Sequence, residues 1–150
     1  MAANPRLRTP MAGIVLALGA LLVGGAFQAA DAQMDHGEMM APPGGAYKKV
    51  SSLVELPDFI PGIGVLYVDP ATLPAGPFLA YDREGHLVST VYMIPLEALN
   101  DQQTFDNLGA ADAKVNHVDV YYNAGHPGVP SPHYHIVLWH VSKDKSASLQ

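Results

Sequence analysis

The chain has 150 residues, no cysteine and a formal charge of −6, with 49% hydrophobic and 15% charged residues. That length makes a single domain the prior. The acidic balance disfavours nucleic acid and anionic membrane surfaces as partners, and the absence of cysteine excludes disulfide staples, thiolate metal sites and cysteine nucleophiles.

The N-terminus sets the compartment. Arg6 and Arg8 form a positive start, Met11 to Phe27 carries no charge, and Ala30-Asp31-Ala32 is a small-x-small cleavage site. These are the three parts of a secretory signal, so residues 1–32 read as a cleavable signal peptide and the product as periplasmic or extracellular. A membrane anchor is the alternative. The uncharged run of 17 residues is short for spanning, however, and contains Gly13, Gly19, Gly24 and Gly25. Without Arg6, Arg8 and Asp31 the remainder keeps 6 basic and 13 acidic residues, a formal charge of −7. A mature domain of this size without disulfides relies on packing, aided by a metal or by self-association.

Residues 33–46 form a leader, from Met34-Asp35-His36 to Pro42-Pro43-Gly44-Gly45, expected to be flexible. Its methionines and His36 are suitable copper(I) ligands, though a solvated tail explains them more simply. The β domain is placed at 47–142. Tyr47 to Leu56 alternates in part and is read as a strand, weakened by Ser51-Ser52. Pro57 to Gly62 is a turn, and Ile63 to Val68 a second strand. Asp69 to Pro74 is a loop or one helical turn, with Asp69 as its cap. Pro77 to Tyr81 and His86 to Ile94 flank Asp82-Arg83-Glu84-Gly85, the clearest hairpin signal in the chain. Leu96 to Asn100 is a short helix and Asp101 to Ala113 a loop. Val115 to Tyr122 alternates, with Val118, Val120 and Tyr122 on one face and His117, Asp119 and Tyr121 on the other. Asn123 to Pro132 is a Gly/Pro-rich loop carrying His126, His133 to Val141 is the last strand, and 143–150 is a polar tail. About six short strands with few helical turns predict an all-β fold, an antiparallel sandwich or small barrel.

Five of the seven histidines fall between positions 117 and 140. Residues two apart on a strand share a face, so His133 and His135 point the same way, as do His117 and Asp119, while His140 has the opposite parity. If the last two strands pair with their polar faces together, His117, Asp119, His133 and His135 form one patch that His126 can close from the loop. That set suits zinc, copper, iron or manganese. A register shifted by one splits the cluster, and a loop of this length leaves the register open. The alternatives are ordinary ones: backbone-bonded core histidines, or turn and cap residues. Glu97 and Asp101, four apart, suit a solvated face, and Ser131 near His133 is no nucleophile elbow.

The stretch Asn116-His117-Val118-Asp119-Val120, Gly125-His126-Pro127-Gly128 and Pro132-His133-Tyr134-His135 resembles the TTHB210-like domains, uncharacterised exported bacterial proteins. Leu53-Val54-Glu55-Leu56, Ile63-Gly64-Val65 and Leu73-Pro74 extend the resemblance over about residues 50–141. The family pattern has Asp at the position of His135 and His at that of Val137. His117, His126 and His133 match by position and His135 does not, so a ligand set implied by the resemblance differs here, shifted by one pair. The resemblance implies an exported β domain with a His-rich site and carries no reaction.

Three functions are expected from the residues. The first is an exported metal-binding domain, with a role in metal handling or stress and with His117, His126, His133 and His135 as ligands and Asp119 as ligand or orienting acceptor. The second is a metal-dependent enzyme in which Tyr121, Asp119 or Glu55 serves as acid or base. The third is a homo-oligomeric structural protein without metal.

Overall fold

The computed structural model describes residues 39–150. The signal segment 1–32 and His36 lie outside the described residues. Among the described residues six strands form: β1 Lys48–Lys49, β2 Val65–Val68, β3 Phe78–Tyr81, β4 Leu87–Pro95, β5 His117–Asn123 and β6 His133–Trp139. All pairings are antiparallel, and the order is β1-β2-β3-β4-β6-β5. The chain is all-β, as the turn spacing predicts, and its six strands share one sheet. Two short helices, α1 Leu96–Asn100 and α2 Lys143–Ala147, accompany it.

The β3–β4 turn forms because Asp82 folds its side chain back on the chain. Its carboxylate accepts the Glu84 and His86 N–H groups at 3.1 and 2.9 Å, and Gly85 supplies the left-handed residue at φ 86°. β4 is central and almost wholly buried.

Strand parity divides the apolar residues between two faces. On the first lie Leu66, Val68, Phe78, Val91, Met93, Val137 and Trp139. Their cover is not a second sheet but irregular chain: Val54, Leu56, Ile60, Ile63, Val129 and Leu149. On the second face Leu79 and Tyr81 pack with Ala111, and Tyr92 and Ile94 with Phe105. The edge strand β5 leaves Val118, Val120 and Tyr122 exposed there.

Three segments depart from the sequence expectation. The first is the described end of the leader expected to be flexible: the Ala41 N–H donates to the Gly85 carbonyl at 2.8 Å and the Leu87 N–H to the Met39 carbonyl at 3.0 Å. The strand expected over Tyr47 to Leu56 is only two residues long and passes into a 3-10 turn at Val50–Ser52. The serines cause this: the Ser52 hydroxyl donates to the Lys49 carbonyl at 2.7 Å and Ser51 donates to Asp58, local bonds that compete with a ladder. The expected polar tail 143–150 is docked. Ser142 caps α2 through the Lys145 N–H, Leu149 is 4% exposed in the first-face core, and its carbonyl accepts the Gly62 N–H at 2.6 Å. Lys145 reaches the buried Asp82 at 3.0 Å. Burial pushes the Asp82 carboxyl up, but the His86 N–H and the Lys145 ammonium outweigh it, so its pKa lies below the ordinary 3.8.

Candidate metal centre

The site is built on the β5–β6 hairpin. Alternation turns His133 and His135 to the first face, where they are buried, 0% and 3% exposed. The register sets Asn123 opposite His133 and Tyr121 opposite His135, with Pro95 and Met93 of β4 on the other side.

His126 arrives from the loop between these strands. Its N–H donates to the Val129 carbonyl at 2.9 Å and the Val129 N–H donates back at 3.0 Å. Pro127 and Gly128, the latter at φ 88°, fill the two central positions as a type II turn requires. The turn is entered through Gly125, whose N–H donates to the Asn123 side chain at 2.8 Å. Gly125 sits at φ 125°, and a Cβ there would collide with the Pro130 carbonyl oxygen. The result holds the His126 ring near-perpendicular to the other two, with centroids 4.9 Å from His133 and 5.6 Å from His135.

One nitrogen from each of His126, His133 and His135 lies within 4.8 Å of the others. Among the described residues this is the group of three histidine or carboxylate side chains placed to hold one metal ion. Each ring is oriented from outside. His133 Nδ1 lies 2.7 Å from the Ser131 carbonyl and His126 Nδ1 2.9 Å from the Pro127 carbonyl. A carbonyl can only accept, so both Nδ1 atoms carry a proton, which in the neutral tautomer leaves the lone pair on Nε2. His135 Nδ1 lies 3.0 Å from the Tyr121 hydroxyl. Burial, and then the neighbouring His133 and His126, lower the pKa of His135 to about 4, so the ring is neutral well below pH 6. Burial and the nearby Asp119 charge raise the pKa of Tyr121, which keeps its hydroxyl proton.

His117 and Asp119 share the face of His133 and His135, but the register puts them at its far end, opposite Trp139 and Val137. Asp119 accepts the Trp139 indole N–H at 2.7 Å, and His117 stacks on the same indole with centroids 5.9 Å apart. They therefore serve the packing of Trp139 and do not join the triad. His140 lies on the other face between Thr90 and the Lys114 carbonyl.

His126 and His135 of the triad border a cavity of about 290 Å³. Its walls include Val54, Leu66, Val68, Phe78 and Met93, with Tyr121, Asn123, His126 and His135 as the polar contributors. Sequence reasoning missed this space, because its roof comes from the irregular segment 50–63. The apolar residues Val54, Leu56, Ile60 and Ile63 in a stretch broken by Pro57 and Pro61 were the available signal.

The TTHB210-like family, described as hypothetical protein TTHB210, matches residues 82–122. A solved structure, the hypothetical protein TTHB210 from Thermus thermophilus, is 48% identical with a TM-score of 0.57. The match covers 63% of this chain and 92% of that one. A search of the curated proteins gives no match.

Proposed function

The chain belongs to the TTHB210-like family, and from that starting point we propose that it is an exported domain binding one transition-metal ion through His126, His133 and His135. Export rests on the signal-like segment 1–32. The observation that carries the metal reading is the outward anchoring of the three rings, with Nδ1 facing an oxygen in each and the other nitrogens converging. Such outer partners fix the tautomer and aim of histidine ligands.

Zinc–nitrogen bonds set tetrahedral ligand nitrogens about 3.3 Å apart. The His133 and His135 Nε2 atoms, now 2.8 Å apart, need only a small parting. His126 would have to close the remaining distance, the three nitrogens lying within 4.8 Å of one another. An all-imidazole set without a carboxylate ranks zinc and copper(II) ahead of iron and manganese.

Elemental analysis of the protein purified without a histidine tag tests the reading. About one equivalent of metal is expected in the wild type and none in the double variant His133→Ala/His135→Ala. Full metal content in the double variant sinks the proposal.

The cavity beside the triad favours a second reading, a metal-dependent enzyme, since three histidines leave one tetrahedral position open to substrate or water. In cobalt(II)-substituted protein, an open position gives a visible spectrum that changes on adding azide. A spectrum indifferent to azide favours a closed site.

A further inference from the structure

We infer that the cavity beside the triad binds a small, largely apolar molecule of about ten carbon atoms with one terminal oxygen donor, seated with that donor toward His126 and His135. The inference rests on the triad reading and adds the ligand class.

The size argument comes first. An apolar cavity of about 150 Å³ accommodates benzene, and this one, at about 290 Å³, has room for roughly twice as much. Native cores are close-packed, with few voids larger than a water, so an apolar space of this volume is not ordinary core. It also meets solvent: Leu53 and Leu73, both lining it, are 43% and 48% exposed. Two half-exposed leucines at a rim, rather than polar side chains, suit entry of an apolar molecule.

The orientation follows from where the lining residues originate. The apolar walls come mainly from the segment 50–78 and from Met93. The polar groups come only from the β5–β6 hairpin, where Tyr121 pairs with His135, Asn123 follows two residues on, and His126 leans over His135. An apolar space with its polar atoms gathered on one side selects a molecule with a hydrocarbon body and one polar end. His133 does not line the cavity, so it backs the triad while His126 and His135 face the ligand. A donor arriving from the cavity would meet His126 and His135, the two triad members that line it.

Decanoate is the probe, titrated calorimetrically into zinc-loaded protein with zinc content measured on the same samples. One saturable decanoate per chain is expected. Leu53→Trp, an exposed position that tolerates bulk, should retain zinc and weaken decanoate at least tenfold. Leu73→Trp provides the same test from the other rim residue should Leu53→Trp misfold. His126→Ala should weaken decanoate at least tenfold with the walls intact. Stoichiometric zinc with no saturable decanoate, or with both rim variants binding it like the wild type, would overturn the cavity proposal and leave the triad reading standing. Failure of the wild type to take up zinc overturns the triad reading. Decanoate binding that persists unchanged in His126→Ala overturns the placement of the donor end.

Discussion

His133 and His135 meet Nε2 to Nε2 at 2.8 Å. The Ser131 carbonyl keeps the His133 proton on Nδ1, so the proton between the two rings belongs to His135 Nε2. His135 Nδ1 must then accept from the Tyr121 hydroxyl. For His135 to offer its Nε2 lone pair to a cation, that one proton would have to move to Nδ1, and Tyr121 would then accept where it now donates. A phenol can do both.

Tyr121→Phe removes that outer partner and leaves all three rings. Metal affinity is expected to fall about 10- to 100-fold, with the thermal midpoint little changed because Tyr121 is 41% exposed. Competition with a chelating dye measures it. Affinity within twofold of the wild type would show that Tyr121 does not orient His135.

Gly125→Ala places a methyl against the Pro130 carbonyl at a φ that L residues rarely adopt. The loop must shift, taking His126 with it. Metal affinity should drop at least tenfold while β6 stays folded, so far-ultraviolet circular dichroism is retained. Unaltered affinity would mean that His126 is not a ligand.

His117→Ala and Asp119→Asn should keep metal stoichiometry and affinity, since both residues attend Trp139 rather than the triad. The side-chain amide introduced by Asp119→Asn would still offer an oxygen to the indole N–H. Elemental analysis decides the matter: loss of metal in either variant would redraw the ligand set.

Leu149→Ala tests the docked C-terminus. Leu149 is 4% exposed within the main core, and truncating a buried leucine costs about 2–3 kcal/mol here. Urea unfolding measures the change. A loss under about 0.5 kcal/mol is the value expected of an exposed site and would indicate an undocked tail.

The pH dependence at low pH should pass through Asp82. Its folded-state pKa lies below the ordinary 3.8, so the folded state binds fewer protons there. Its contribution is complete above the unfolded value and is lost as pH falls through the folded one. Asp82→Asn should therefore be less stable than wild type at pH 7 and show a flatter acid limb below about pH 4. Parallel acid limbs in thermal melts would exclude Asp82 as the source.

The sequence by itself determined what depends on near neighbours. Alternation set His133 and His135 on one face, Asp82 to Gly85 determined the β3–β4 turn, and turn spacing determined a small all-β domain. Asn123 to Pro132 read only as a Gly/Pro-rich loop, although Pro127-Gly128 carries a type II turn signal that would have set His126 at the turn's first position. Tertiary structure decided what depends on register and on distant chain. The pairing of Tyr121 with His135, rather than His117 with His133, is set by how the whole β5–β6 hairpin closes, and a loop of this length does not encode it. The cavity exists because residues 50–63, local serine bonds having ended their strand, lie over the sheet instead of extending it. Leu149, one apolar residue in a polar tail, is buried because the first face needed cover there. Periodicity reports which side of an element is apolar. It is silent on which distant segment comes to cover that side, because burial is a property of the assembled surfaces.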